Sequence, residues 1–130
     1  MLKQAQAFSS FSVDNLELAK KFYQDTLGLK VKAEAEMGLN LELLDGMRVF
    51  IYPKENHQPA TFTVLNFIVD NIEQTVSLLN KKGVSFEKIK FPGGPETDNL
   101  GIMRGKSAGM GPDIAWFKDP AGNFIAVMEN

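Results

Sequence analysis

Phe11-Ser-Val-Asp-Asn-Leu-Glu17 decides the fold of this chain, because the chain contains the stretch twice. Phe67-Ile-Val-Asp-Asn-Ile-Glu73 repeats it, with Phe, Val-Asp-Asn and Glu in register at an offset of 56 positions. In both copies an apolar segment leads into Val-Asp-Asn, and a helical pattern follows. A repeat of this size indicates a duplicated supersecondary unit. We therefore expect two modules within one domain, at about residues 1–56 and 62–130.

Each module is predicted to have the order β-α-β-β-β. Asp14 and Asp70 stand where a helix N-cap is needed, and an apolar stripe follows each of them. Alternating residues predict the strands of the first module at 6–13, 29–37, 39–44 and 47–52, with a two-residue turn at Asp45-Gly46. In the second module the same reasoning predicts strands at 63–69, 84–90, 113–118 and 123–128, and allows a short one at 100–104.

Composition excludes several classes of partner. Fourteen basic against 16 acidic residues give a net charge of −2 without a basic stripe, which argues against nucleic acid. No segment has the roughly 20 apolar residues of a membrane span, and no signal peptide is recognisable. The absence of cysteine removes disulfides and thiolate sites and suits a cytoplasmic location.

Pairing of the last hairpin predicts which face of each sheet is free of helices. If Lys118 lies opposite Asn123, then Trp116 packs on the helices and Phe117 does not. The face away from the helices is then apolar with a few polar atoms, among them Asp113, which is typical of a small-molecule site. Filling of this face by its own side chains or by a partner subunit is the alternative, and the side of the sheet on which Glu42 lies is left open. The predicted ligand-binding residues are Phe8, Ser10, Ser12, Val64, Asn66, Phe117, Phe124, Ala126 and Met128.

Other candidate residues are given weaker roles. Segment 91–112 is rich in glycine and proline, which is typical of a lid, a binding loop or a mobile segment. Within it, Arg104 and Lys106 either meet an anionic ligand or only aid solubility. His57, the one histidine, lies in a polar linker and is expected to be solvent-exposed rather than catalytic.

Two stretches resemble a known family. Val13-Asp-Asn-Leu-Glu-Leu-Ala-Lys-Lys-Phe-Tyr-Gln-Asp-Thr-Leu-Gly-Leu29 resembles the first-helix motif of the vicinal oxygen chelate superfamily, which includes glyoxalase I, dioxygenases and bleomycin-resistance proteins. Trp116-Phe-Lys-Asp-Pro-Ala-Gly-Asn-Phe-Ile-Ala126 resembles its closing hairpin. The resemblance implies an α+β fold of two tandem βαβββ modules, forming cupped mixed sheets around a shared cavity. It also implies a homodimer.

The resemblance also implies a divalent metal held by His, Gln or Glu, and this chain departs from that pattern. Counting from the two motifs places the ligand positions on Phe8, Val64 and Ala126, none of which carries a donor atom for such a metal. We therefore expect no metal, no other cofactor and no catalytic residues, and catalysis of the family type is disfavoured.

Three functions remain open from the sequence. The first is a metal-free protein that binds a hydrophobic or aromatic small molecule in the cavity between the modules. The second is a metal-dependent lyase, isomerase or dioxygenase with non-standard ligands, and the third is a non-catalytic dimeric assembly subunit.

Overall fold

A computed structural model describes all 130 residues, which form two compact units, Met1–Pro59 and Ala60–Asn130. Each unit contains one four-stranded mixed sheet, so the chain has the predicted α+β fold of tandem βαβββ modules.

The sheet of the first unit has the strand order β1-β4-β3-β2, with β1 parallel to β4 and the other pairs antiparallel. Helix α1 continues directly into a π-helical turn, which ends before Gly28, a residue with a positive φ of 73°. The elements are β1 (Ser9–Val13), α1 (Leu16–Lys21), the π-helical turn (Phe22–Thr26), β2 (Lys30–Glu34), β3 (Gly38–Glu42) and β4 (Arg48–Pro53), with short 3-10 turns at Leu2–Gln4 and Leu44–Gly46.

The second unit repeats this topology, with the strand order β5-β8-β7-β6 and β5 parallel to β8. Its elements are β5 (Thr63–Ile68), α2 (Ile72–Lys81), β6 (Ile102–Arg104), β7 (Asp113–Lys118) and β8 (Phe124–Glu129). The predicted strand at 84–90 is wrong: this segment makes only the isolated bridges Phe86–Phe117 and Lys90–Glu96. The short strand at Ile102–Arg104 occupies the fourth place in the sheet instead.

Both helices begin one residue later than the sequence predicted. Asn15 caps α1 by accepting a hydrogen bond from the Leu18 amide at 3.0 Å, and Asn71 caps α2 through the Gln74 amide at the same distance. Asparagine and aspartate are about equally good caps, so the Asp-Asn pair alone does not decide which residue acts.

Each sheet packs one face against its own helix. In the first unit Phe11, Val13, Leu41 and Ile51 are buried on this face, and Phe11 lies 6.2 Å from the ring of Tyr23. In the second unit Ile72 and Val76 of α2 pack against the buried set Ala115, Phe117, Ile125 and Val127. Burial of one such aliphatic side chain contributes roughly 1.5–3 kcal/mol, so each unit has a core of its own.

The pairing predicted for the last hairpin is wrong by one residue. Lys118 pairs with Phe124, not Asn123, because Asn123 belongs to the turn and donates to the Asp119 carboxylate through its amide at 2.8 Å and its side chain at 3.1 Å. A shift of one residue transfers every side chain of a strand to the opposite face. Phe117 and Asp113 therefore face the helix side, and Trp116 faces away from it.

Candidate functional site

The face of each sheet that lies away from its helix is here called the open face of that unit. In the first unit the register pairs Ser10 with Phe50 and Ser12 with Tyr52 on this face. The rings of Phe50 and Tyr52 stack with centroids 6.3 Å apart and planes inclined by 17°. This part of the open face combines two aromatic rings with the two serine hydroxyls and the phenolic hydroxyl of Tyr52.

His57 folds back onto the first unit and is not solvent-exposed as predicted. Its side chain is half-buried, and Nδ1 lies 2.7 Å from the Ser12 hydroxyl oxygen. Two backbone hydrogen bonds hold the 54–57 loop in this position. The Lys54 amide donates to the Val13 carbonyl, and the His57 amide donates to the Lys54 carbonyl. A hydroxyl–imidazole pair can present either a donor or an acceptor to a ligand, depending on the tautomer.

The outer part of this open face is charged. Glu42 lies on this face, because it is two positions along β3 from Asn40, which pairs with Phe50. Its carboxylate forms an ion pair with Lys30 at 3.0 Å. Arg48 also lies 4.1 Å from the ring centroid of Phe8, which is 52% exposed. These exposed contacts contribute about 0–1 kcal/mol each.

The open face of the second unit is mainly apolar. Ala126 lies at its centre and is fully buried, with Asn66 beside it on β5 and Trp116 beside it on β7. Ile68, Met128 and Ile114 form the next row by the same register. Phe124 is the first residue of β8 and is half-buried, and the Lys118 ammonium lies over its ring. Val64 lies at the point in β5 where the pairing with β8 is irregular.

The structure removes two residues from the predicted face. Phe117 is 1% exposed and lies edge-on to Phe86 on the helix side of the sheet. Asp113 lies on that side as well, where its carboxylate accepts a hydrogen bond from the Lys106 amide at 3.0 Å. The open face therefore gains the indole of Trp116 and loses a carboxylate.

A pocket of about 460 Å³ adjoins this open face, which is within the usual range of small-molecule sites. Met103 and Ile114, which pair across β6 and β7, contribute to its wall. All other lining residues come from the long segment at 91–112, which was predicted to be a binding loop: Phe91, Pro95, Arg104, Gly105, Ala108, Met110 and Pro112.

Arg104 joins this segment to the rest of the unit. Its Nε lies 3.0 Å from Asp98 Oδ2, Nη2 lies 2.9 Å from Glu73 Oε1, and Nη1 lies 3.6 Å from Asp113 Oδ2. We call these four residues the arginine clamp. Lys106 is paired with Glu129 in the same region. Both cations named above as possible anion ligands are thus engaged by carboxylates of the chain.

Two carboxyls of this region, those of Asp98 and Glu129, have a lowered pKa. Burial alone would raise the pKa of Asp98, but hydrogen bonds from the Ile102 amide, from Arg104 and from the Leu100 amide hold it below its usual value. The hydrogen bond from Lys106, followed by that from the Ile72 amide, lowers the pKa of Glu129. Both groups are therefore charged at neutral pH.

The family's metal does not fit the residues present. Phe8, Val64 and Ala126 offer only hydrocarbon at the three positions that the resemblance assigns to ligands. The repeat identifies a fourth equivalent position. Phe50 pairs with Ser10 in the first unit in the same way as Ala126 pairs with Asn66 in the second, and Phe50 also has no donor atom. No group of three or more His, Cys, Asp or Glu side chains elsewhere could hold a metal ion.

Comparison with known proteins identifies the family. The profile of the Glyoxalase/Bleomycin resistance protein/Dioxygenase superfamily matches residues 6–127, so the chain belongs to this superfamily. A comparison with curated proteins gave no match. No helix has the length and apolar character needed to cross a membrane.

Solved structures show the same fold at low identity. A glyoxalase family protein from Bacillus anthracis has a TM-score of 0.67 at 21% identity, with 100% of this chain and 99% of that one covered. TnmS3, an antibiotic binding protein from Streptomyces sp. CB03234, has a TM-score of 0.64 at 19% identity, with 97% of each chain covered. Lactoylglutathione lyase from Agrobacterium tumefaciens has a TM-score of 0.65 at 16% identity, with 100% and 96% covered.

Proposed function

We propose that this chain is a metal-free member of its superfamily that binds a hydrophobic or aromatic small molecule. The observation that carries the proposal is Ala126, a fully buried methyl group at the position where the resemblance implies a metal-binding carboxylate. A metal in this family activates substrate oxygens, and hydrocarbon at its site supports binding without that chemistry.

The shape and lining of the second unit support a ligand of this kind. The pocket of about 460 Å³ is walled chiefly by hydrocarbon from Met103, Met110, Ile114 and their neighbours. Methionine side chains are flexible and polarisable, so they adapt to flat or irregular apolar ligands. Asn66 supplies a polar group on the adjoining open face that can orient such a ligand.

The structural relatives are compatible with more than one function. TnmS3 binds an antibiotic and the Agrobacterium protein is a lyase, and identities of 19% and 16% do not decide between them for this chain. The donor-free positions favour the binding function. Self-association into a homodimer is part of the proposal, since Phe62 and Ile68, at and beside the edge strand β5, are largely exposed.

Isothermal titration calorimetry with naphthalene-type compounds tests the proposal. We expect Ala108→Phe, which places a ring in the pocket from an exposed position, to weaken binding at least tenfold. Ser85→Phe adds the same ring at an exposed site of the same unit that does not line the pocket, and should leave the affinity unchanged. Ala126→Phe adds a ring to the adjoining open face rather than to the pocket wall, and it should also abolish binding because it covers Asn66, the group proposed to orient the ligand. Circular dichroism confirms that the variant folds.

Metal analysis provides the second test. Protein purified without chelators should bind the ligand equally well before and after treatment with EDTA. Stoichiometric zinc, nickel, manganese or iron bound inside the fold, or loss of binding after chelation, would overturn the metal-free proposal in favour of an enzyme with non-standard ligands. Failure of every aromatic compound to bind would overturn the binding function itself.

A further inference from the structure

The pocket of the second unit has a single charged residue in its wall, Arg104. An arginine in an apolar pocket is ordinarily a site for a carboxylate or phosphate, because its five N–H donors match those oxygens. Whether this pocket takes an anion therefore depends on whether the guanidinium is available.

The arginine clamp occupies the guanidinium from the side facing the helix. Each of its three nitrogens faces a different carboxylate, at 3.0 Å for Asp98, 2.9 Å for Glu73 and 3.6 Å for Asp113. Three negative charges surround one positive charge, so the neighbourhood of Arg104 is negative overall. Hydrogen bonds lower the pKa of Asp98, which keeps that carboxylate charged at neutral pH.

The other cations near the segment are also engaged. Lys106 pairs with Glu129 and donates to the Asn130 carbonyl. Lys88 donates to the backbone carbonyls of Asp98 and Asn99 at 3.2 and 2.8 Å. Neither lysine lines the pocket.

We infer that this pocket selects uncharged ligands and rejects anions of the same shape. The inference rests on the proposed function and narrows its ligand class to neutral apolar or aromatic molecules. A carboxylate entering the pocket would lose its water without gaining a free cation, and burial of an unpaired charge is strongly unfavourable. It would also approach three carboxylates that already share one guanidinium.

Two ligands of nearly equal size test the inference, methyl 2-naphthoate and 2-naphthoate, titrated by calorimetry at neutral pH. The wild-type protein should bind the uncharged ester at least tenfold more tightly than the anion, since nothing in the pocket offsets dehydration of the carboxylate. Equal or tighter binding of 2-naphthoate would overturn this inference while leaving the proposed function intact. Binding of neither compound would overturn both.

A gain-of-function variant makes the test specific to the clamp. Glu73→Gln removes the most exposed carboxylate of the clamp, whose side chain is 61% accessible, and so releases Nη2 with little effect on packing. We expect it to raise the affinity for 2-naphthoate about threefold or more and to leave the affinity for the ester unchanged. Glu87→Gln is the matched control, because Glu87 pairs with Lys118 at 3.3 Å and not with Arg104.

In the double variant Glu73→Gln/Asp98→Asn, the ratio of the affinity for the ester to the affinity for the anion should be smaller than in Glu73→Gln. An identical ester-to-anion ratio in the wild type, in Glu73→Gln and in Glu87→Gln would overturn the role assigned to the clamp. Thermal melting of each variant verifies that a change in affinity does not come from loss of folded protein.

Discussion

Replacing Arg104 with methionine removes the guanidinium that three carboxylates share and keeps an apolar side chain of similar length. Segment 91–112 then loses its charged connection to α2 through Glu73 and to β7 through Asp113. The three carboxylates remain and repel one another. We expect both the free energy of unfolding and the affinity for pocket ligands to fall.

The size of the effect follows from the exposure of each partner. Glu73 is 61% exposed, so its pair with Arg104 contributes about 0–0.5 kcal/mol. Asp98 is 29% exposed and hydrogen-bonded to Arg104, which gives about 0.5–1 kcal/mol. Asp113 is only 9% exposed, and loss of Arg104 leaves its buried carboxylate with the Lys106 amide as donor. This change should lower the free energy of unfolding by about 1–2 kcal/mol. The 3.6 Å separation from Nη1 keeps this last value below the cost of breaking a close buried pair.

The sum is about 1.5–3.5 kcal/mol, or roughly 5–14 °C in Tm for a chain of this length. Urea unfolding followed by circular dichroism measures it. Arg104→Lys should lose about half as much, because an ammonium cannot address three carboxylates in a plane. Arg48→Met is the matched control, since that guanidinium makes exposed contacts, over the ring of Phe8 and with Asn40 Oδ1 at 3.4 Å, and it should lose less than about 1 kcal/mol. Equal effects of Arg104→Met and Arg48→Met would refute the reasoning.

Three further predictions concern single contacts. Ser12→Ala and His57→Ala should each lower the free energy of unfolding by about 1 kcal/mol, measured in urea. Because the two side chains are in contact at 2.7 Å, a double-mutant cycle should give a coupling energy of about 0.5–1.5 kcal/mol, and strictly additive effects would contradict this. The lowered pKa values of Asp98 and Glu129 add stability that is present above roughly pH 5 and is lost as the pH falls below about 4. The Tm of the wild type should therefore drop over that interval, and the Tm of Asp98→Asn should drop less. An equal drop in the wild type and in Asp98→Asn would count against the role given to Asp98. Gly105→Ala should destabilise by roughly 1–3 kcal/mol in the same urea assay, since the added carbon would clash with the backbone carbonyl oxygen of Pro112; an unchanged midpoint would show that the backbone can move aside.

The fold was predictable because the repeat and the hydrophobic periodicity report the same modules. Val-Asp-Asn precedes both helices, and Gly28 and Gly83 follow them with positive φ. The pairing register of the last hairpin, β7 with β8, was predicted wrongly. Strand β7, Asp-Ile-Ala-Trp-Phe-Lys, has large apolar residues on both faces, so its pattern does not decide which face is buried. Side-chain hydrogen bonds between Asp119 and Asn123 lengthen the turn by one residue, and single-sequence reasoning does not reveal them.

The candidate site was predictable only in part. Segment 91–112 was expected to form a binding loop from its glycine and proline content, and it lines most of the pocket. His57 was missed, because a polar linker pattern does not indicate that the loop returns to Ser12. The clamp was missed as well, since Glu73 and Arg104 are distant in sequence and meet only because α2 packs on the sheet of the second unit.

The corrected facing of β7 has a practical consequence. Trp116 is the only tryptophan of the chain, and it lies beside Ala126 on the open face, two positions along β7 from Ile114 of the pocket wall. Indole emission depends on local polarity, so this protein carries a built-in optical reporter at the surface where a ligand is proposed to bind. Intrinsic fluorescence can therefore screen compound collections against the unmodified chain without a dye, a label or an engineered probe.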